Sequence, residues 1–306
     1  MKAFLTGSTG YVGRQIVRDL VKAGHNVRAL IRPGSEPKLP SEVRDKIEIA
    51  HGDTTDPSTL RGKLDGCAAV INLPGLLREF PRKGITFQKV HFEGTKNLAE
   101  EAKRAGVKRF VQMSALGVRA GSTTGYQKTK WLAEEYLRAS GLDWTIFRPS
   151  VIFGREDEGL INFLSVLVDL LNMMPLFVPV IGNGKYRFQP VALENVSEGF
   201  VKSLTTPASI GKVYEVGGPQ KMTYNEMLDL VGEAIGKKKV KFRQPVFVMK
   251  TLASFLDGFK FFPISKDQIT MLLEENICSD EQPFFRDFQI KPIYFRDGLA
   301  RYLKKS

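Results

Sequence analysis

Tyr126 and Lys130 stand four positions apart in "TTGYQKTKWLAEEYL", residues 123–137. On a helix that spacing puts both side chains on one face. A phenol beside an ammonium can pass a proton to or from a substrate oxygen, as the acid–base pair of a reductase does. An ordinary amphipathic helix produces the same spacing by chance, so the rest of a site must accompany it.

A second chemical pattern lies at the start of the chain. "GSTGYVG" sets Gly7, Gly10 and Gly13 three apart, between an apolar run and a helical one. Glycines permit a tight turn and close approach of backbone to a ligand. A helix N-terminus adds N–H groups and the positive end of a dipole. The loop Gly7, Thr9, Gly10, Tyr11, Val12 and Gly13 is therefore expected to hold a dinucleotide pyrophosphate. An acidic residue after the second strand would bind a ribose 2′-hydroxyl. This chain has "ALIRPGS" there, and the Arg32 fork suits a 2′-phosphate, with Ser35 and Arg28 beside it. NADP(H) is expected ahead of NAD(H). Asp53 and Thr54 in "HGDTTD" follow the third strand and suit the adenine. Leu73, Pro74 and Gly75 end the fourth and would line the cofactor with backbone.

The elements that must position these residues are legible as period and composition. Runs 2–7, 26–32, 46–53, 68–74, 109–114 and 143–149 read as strands, and several are nearly continuous in apolar residues. Strands of a parallel sheet covered on both faces have that character. Helical patterns over 11–23, 86–105 and 126–140 alternate with them. The pattern predicts an α/β fold, a Rossmann-type doubly wound parallel sheet. Past about residue 150 the alternation weakens. A helix over 157–174, a Pro/Gly-rich stretch, and further elements over 193–204, 212–218 and 223–235 follow. The expected organisation is a Rossmann domain over 1–155, with 187–218 returning to it, and a smaller mixed lobe over 156–306.

Composition narrows the function classes. The chain has 306 residues, 42% of them hydrophobic and 25% charged, which suits one large domain or two modest ones. Cys67 and Cys278 form no framework, and His25, His51 and His91 are scattered, so no metal site is expected. The opening "MKAFLTGSTG" enters a strand directly, and no signal peptide is expected. The apolar window 160–181 is interrupted by Asn162, Asp169, Asn172, Pro175 and Pro179, which favours a buried helix and an extended segment over a bilayer span. A net charge of +12 points to an anionic partner. The run "KKKVKFR" at 237–243 reads as a solvated loop and strand edge, and without a nucleic-acid motif no nucleic acid is expected. The stretch 244–262 mixes Phe, Leu and Met with Lys250 and Lys260, so peripheral membrane contact stays open. A cytoplasmic location is expected, with membrane association left open.

Taken in order, GxxGxxG at 7–13, "GDTTD" at 52–56, "NLPG" at 72–75, "HFEGTKNLAEEAKRAGVKRFVQMSA" at 91–115, Tyr126-x-x-x-Lys130 and "RPSVIFG" at 148–154 resemble the extended short-chain dehydrogenase/reductase superfamily. "RFQPVALENVSEGF", "KVYEVGGPQKMTYNEMLDLV" and "MLLEENICSDEQPFFRDFQIKPIYFRDGL" resemble one atypical subgroup. It contains the nucleotide-binding accessory subunit of respiratory complex I and its free-standing bacterial relatives. The resemblance covers almost the whole chain.

The resemblance implies Tyr126 as general acid/base, its pKa lowered by Lys130, with Lys130 also on the nicotinamide ribose. Pro149 and Val151 would contact the cofactor. The superfamily's Ser or Thr donor has no clear counterpart. Ser114 is one candidate and Ser122–Thr124 another, while His91 takes the helix position that is often Asn. The expected activity is hydride transfer to or from a hydrophobic carbonyl or alcohol, quinone-like or lipid-like. "LLNMMPLFVPVIG" and "FVMKTLASFLDGFKFFP" suggest that apolar substrate. Two alternatives remain: a non-catalytic NADPH-binding accessory, assembly or sensor protein with a protein partner, and a sugar-nucleotide epimerase or dehydratase.

Overall fold

The computed structural model of the chain describes residues 1–73, 75–155, 157, 159–256, 265–279 and 283–303, with 254–256 described as backbone alone. The chain divides into two compact units. The first comprises Met1–Pro149, Leu193–Val216 and Glu281–Lys291. The second comprises Ser150–Ala192, Gly217–Asp280 and Pro292–Ser306.

The apolar runs of the first unit become seven strands: β1 Lys2–Thr6, β2 Asn26–Ile31, β3 Glu48–His51, β4 Ala69–Asn72, β5 Arg109–Met113, β6 Asp143–Pro149 and β7 Lys212–Val216. They form one sheet in the order β3-β2-β1-β4-β5-β6-β7. Every pairing in it is parallel. This is the Rossmann-type, doubly wound arrangement that the alternation predicts. The order reverses between β1 and β4, and that crevice beyond the strand ends is where such sheets hold ligands.

Both faces are packed. On one, Phe4, Val70 and Phe110 meet Leu98, Ala99 and Leu137. On the other, Phe147 lies 4.8 Å from Phe200, 5.7 Å from Tyr214 and Phe284, and 5.5 Å from Phe288, centroid to centroid. Three helices position the site. They are α1 Tyr11–Lys22, α2 Gly94–Arg104 and α3 Gly125–Arg138.

The β1–α1 turn explains two glycines. Gly7 has φ +76°, and a Cβ there would lie 2.7 Å from the Leu73 carbonyl oxygen. A Cβ at Gly13 would lie 2.0 Å from the Gly7 carbonyl oxygen. Helix α1 thus crosses the loop at a distance that only glycine allows.

The second unit has its own core, with Phe153, Leu164, Leu167, Leu171, Val178, Val180, Met227 and Val231 among its buried residues. The expected 157–174 helix starts only at Phe163. Asn162 caps it, accepting from the Ser165 N–H while the Ser165 hydroxyl accepts from the Asn162 N–H. The chain then enters the strand Phe177–Ile181, which pairs in parallel with Val240–Gln244. The apolar window is therefore a helix and a strand, and among the described residues no helix is long and apolar enough to cross a membrane. Phe259, Lys260, Phe261 and Phe262 lie outside the described residues, as does the side chain of Phe255.

Gly13→Ala tests the crossing. The variant is expected to lose about 2–3 kcal/mol of unfolding free energy, as overpacked sites do, read from its urea midpoint. Unchanged stability would mean that loop and helix part without cost.

Candidate cofactor and acid–base site

The ends of β1, β4 and β5 are tied by a buried polar network. The Thr6 hydroxyl donates to Asn72 Oδ1 at 2.6 Å. Asn72 Nδ2 donates to Gln112 Oε1 at 2.8 Å and to Thr95 Oγ1 at 3.1 Å. Apolar strands could slide; these amides fix their ends in register and anchor α2 through Thr95.

Helix α3 carries the acid–base pair. Thr124 caps it, its hydroxyl oxygen accepting from the Gln127 N–H. Tyr126 and Lys130 both face inward, 9% and 2% exposed. Lys130 Nζ donates to the Met113 carbonyl at 3.1 Å and lies 5.8 Å from the centre of the Tyr126 ring. Burial pulls the Lys130 ammonium down to about 7, against the raising influence of Glu134. Burial pushes the Tyr126 phenol up to about 12, opposite to the direction that the resemblance implies.

His91 is wholly buried and braces the pair. Its ring stacks on Phe87 at 5.3 Å and meets Tyr126 edge-on at 5.2 Å. The Leu76 N–H donates to His91 Nε2 at 3.3 Å. His91 Nδ1 lies 3.1 Å from the Thr129 hydroxyl, which itself donates to the Gly125 and Tyr126 carbonyls. With Nε2 accepting, the proton sits on Nδ1 and the ring is neutral. Burial, then the Lys130 charge, holds its pKa down at about 2. His91 lies in a π-helical turn, Gln88–Glu93, just before α2.

One turn beyond Lys130, Glu134 has no exposed surface. Arg148 donates to both its carboxylate oxygens, at 2.9 and 2.5 Å, and Arg138 to one at 2.9 Å. Ser114 donates its hydroxyl to Glu134 Oε1 at 2.5 Å. Of the other candidate donors, Ser122 and Thr124 are engaged too. The Ser122 hydroxyl donates to the Arg119 carbonyl at 2.7 Å, and the Thr124 hydroxyl to Gln127 Oε1 at 3.1 Å. Thr123 is exposed. A hydroxyl has one proton to donate, and Ser114, Ser122 and Thr124 have each committed it to a protein acceptor.

At the glycine loop, α1 has no side-chain cap and no acidic residue in its first turn. Its leading N–H groups lack intrahelical acceptors. Ser8 is fully buried, and its Oγ has no hydrogen-bond partner. A glycine cradle, an uncapped helix end and an orphaned buried hydroxyl together fit an anionic group at this turn. Thr9, Tyr11 and Val12 are half-buried around it.

The remaining expected residues are placed as follows. Arg32 is exposed, just past the end of β2, and its carbonyl accepts from the Ser35 N–H at 3.0 Å. Arg28 is spent elsewhere, pairing with Glu48 at 2.7 Å and donating to the Lys63 and Asp65 carbonyls. Asp53 Oδ1 accepts from the Thr55 N–H and hydroxyl, both at 2.9 Å, which folds its own loop. The Thr54 carbonyl accepts from Asn97 Nδ2 at 2.9 Å. The Leu73 N–H donates to the Thr6 hydroxyl, and Gly75 is exposed. Pro74 lies outside the described residues. The Pro149 carbonyl accepts from the Leu116 N–H, and in the second unit the Val151 carbonyl accepts from the Val191 N–H.

A profile described as NAD(P)H-binding matches residues 7–165, more than half of the chain. The chain belongs to this NAD(P)H-binding family. Within the family it is homologous to subunit 9 of the NADH dehydrogenase [ubiquinone] 1 alpha subcomplex, mitochondrial, of Arabidopsis thaliana. The two are 29% identical over 95% of this chain and 74% of that one. It is also homologous to the photosystem II assembly factor Ycf39 of Trieres chinensis, 24% identical over 100% of this chain and 95% of the other. Among solved structures, the fold matches a UDP-glucose 4-epimerase of Thermotoga maritima at a TM-score of 0.76. That match is 18% identical and covers 99% of this chain and 98% of the other. The fold is that of the extended short-chain dehydrogenase/reductases, as the motifs imply.

Sequence reasoning missed several residues of this candidate site. Arg14, directly after the last motif glycine, is 2% exposed and donates to the Lys38 carbonyl at 2.6 Å. With Arg44, which donates to the Pro37 and Leu39 carbonyls, it shapes the loop after Arg32. A charge on the inward face of α1, between Val12 and Ile16, was the available signal. Phe87, Thr129 and Glu134 left none, because the contacts that tie them to this site, to Tyr126, His91 and Ser114 respectively, join positions at least 20 residues apart.

The neutral His91 generates a pH prediction. Below about pH 6.5 the unfolded chain protonates this histidine and the folded chain does not. Stability therefore falls with acidification, by up to about 1.4 kcal/mol per pH unit from this group. In urea unfolding between about pH 7 and pH 5, His91→Asn is expected to show a shallower slope, by one proton. Equal slopes would mean that the buried ring takes up a proton in the fold.

Proposed function

We propose that this chain binds NADP(H) and acts as a non-catalytic accessory or assembly protein of a larger complex. The observation that carries the reading is the commitment of the Ser114, Ser122 and Thr124 protons to protein acceptors. Carbonyl reduction needs a donor aimed at the developing oxyanion. Losing one costs about 3–4 kcal/mol of transition-state stabilisation. The Tyr126 phenol, held near 12, is also far from the neutral range in which an acid–base catalyst works best. The names of the relatives, a complex I subunit and a photosystem assembly factor, support the same reading.

In this reading Gly7, Thr9, Gly10, Tyr11, Val12 and Gly13 hold the pyrophosphate, and Ser8 gains its missing partner there. Arg32 pairs with the 2′-phosphate, which favours NADP(H) over NAD(H). Asp53 and Thr54 border the adenine, with Leu73 and Gly75 backbone beneath the cofactor. Lys130 serves the nicotinamide ribose. Bound NADPH could supply a hydride; this chain's residues orient and enclose it without presenting an activated substrate oxygen. A hydrophobic carbonyl reductase is the competing reading, and the intact Tyr126/Lys130 pair is its support.

Calorimetry and absorbance separate the two. NADPH is expected to bind, and Arg32→Asp to weaken NADPH at least tenfold while sparing NADH. Tyr126→Phe is expected to leave binding unchanged. No aldehyde, ketone or quinone of a broad panel is expected to oxidise NADPH. Turnover that Tyr126→Phe abolishes would overturn the accessory reading, and unchanged NADPH affinity in Arg32→Asp would overturn the cofactor preference.

A further inference from the structure

One corner of the second unit is built unlike a solvated surface. In the paired strands Phe177–Ile181 and Val240–Gln244, Val240 lies opposite Phe177 and Phe242 opposite Pro179. Val178 and Val180 belong to the buried core. Phe177, Val240 and Phe242 alternate to the other side and are 44%, 64% and 60% exposed. Met173, Met174 and Leu176 continue the corner, also exposed. Six large apolar side chains in one place are more than the scatter normal to a protein surface.

The lysine run borders this corner. Lys237 Nζ donates to Asn172 Oδ1 at 2.5 Å. Lys239 Nζ donates to the Met174 carbonyl at 2.8 Å and to that of Pro175. Lys237, Lys238, Lys239 and Lys241 also line a cavity of about 460 Å³ beside Asp229 and Glu233. The two acids are already paired, Asp229 with Lys241 and Glu233 with Arg296. Among the described residues, Lys238 has no ion-pair partner, and it is exposed. The solvated-loop reading of 237–243 accounts for the strand but not for the apolar side chains interleaved with its charges.

We propose that this corner docks on the surface of an anionic phospholipid bilayer. Lys237, Lys238 and Lys239 meet headgroup phosphates, and Phe177, Val240 and Phe242 enter the headgroup boundary. Apolar residues rimmed by lysines bind such surfaces through burial and charge attraction together. A second copy of the chain fits worse, because a symmetric contact here would set the lysine run against itself. The proposal stands independently of the cofactor reading.

Co-sedimentation of the full chain with vesicles tests it. Binding is expected to phosphatidylcholine vesicles containing phosphatidylglycerol, weakly or not at all to phosphatidylcholine alone, and to fall with salt. Lys238→Gln should lower partitioning about fivefold. Phe242→Ser should weaken it at low and high salt alike. Both positions are exposed, so thermal unfolding and NADPH binding should match the parent and serve as fold controls. No binding to anionic vesicles, or binding by both variants equal to the parent's, would overturn the proposal. So would a dimer that Phe242→Ser dissociates in the absence of vesicle binding.

Discussion

One buried carboxylate must be neutralised, and the arrangement of the strand ends depends on how. Glu134 is wholly removed from solvent, and an unpaired carboxylate there would cost several kcal/mol. Its donors come from three places: Arg148 in β6, Ser114 just past β5, and Arg138 one turn along α3. Their convergence locks α3 against two strands of the sheet. The helix face that carries Glu134 then delivers Lys130 one turn earlier to the Met113 carbonyl, and Tyr126 one turn earlier again to the His91 ring. The chemistry-bearing pair is thus placed by an ion pair that does no chemistry itself. Trp131 flanks the network, with the Arg138 guanidinium 5.1 Å and that of Arg148 5.8 Å from its ring centre. Those contacts limit how far either guanidinium can swing from the carboxylate.

How much of this was legible follows from the range of each interaction. Parallel strands covered on both faces tend to be apolar runs, so the first six strands of the sheet could be read, along with α1 and α3, and the seventh as an element over 212–218. Gly7 and Gly13 were legible because their constraint is local, a turn and a helix crossing within seven residues. The fate of a hydroxyl proton was not. Whether Ser114 faces a substrate or Glu134 depends on a residue 20 positions away, and nothing in "MSALG" records it. His91 was legible only as standing at the helix position that is often Asn in the superfamily. It is buried and hydrogen-bonded on both nitrogens, and its position against Tyr126 could not be anticipated. Arg28 was legible as charge but not as destination, since Glu48 lies on the neighbouring strand. The start of the helix at Phe163 was missed although the Asn162–Ser165 capping pair was in plain sight.

Holding a cofactor and using it make different physical demands. Holding needs backbone N–H groups, glycines that let the ligand approach, and one well-placed cation; these are local features of strand ends and a helix start. Use requires interactions that strengthen only in the transition state. Such a donor must be kept out of ground-state hydrogen bonds inside the protein. In this chain the hydroxyls of Ser114, Ser122 and Thr124 are bonded within the fold instead: one donates to a buried carboxylate, one closes a loop, one caps a helix. Under the proposed accessory reading, the fold retains its nucleotide site while its acid–base residues turn to packing.

The first unit is not contiguous along the chain. The aromatic cluster on one face of its sheet takes Phe147 from β6, Phe200 and Tyr214 from the returning segment, and Phe284 and Phe288 from near residue 290. A Cβ on Gly199 would meet the Phe284 ring at 2.4 Å, so that residue seats closely. During synthesis the nucleotide-binding strands therefore emerge long before the side chains that finish covering them. At about 5–20 residues per second, roughly 140 residues separate β6 from Phe288, an interval of about 7–30 seconds. Through that interval Phe147 waits with an incomplete cover, and the nascent chain is at its most dependent on protection from association.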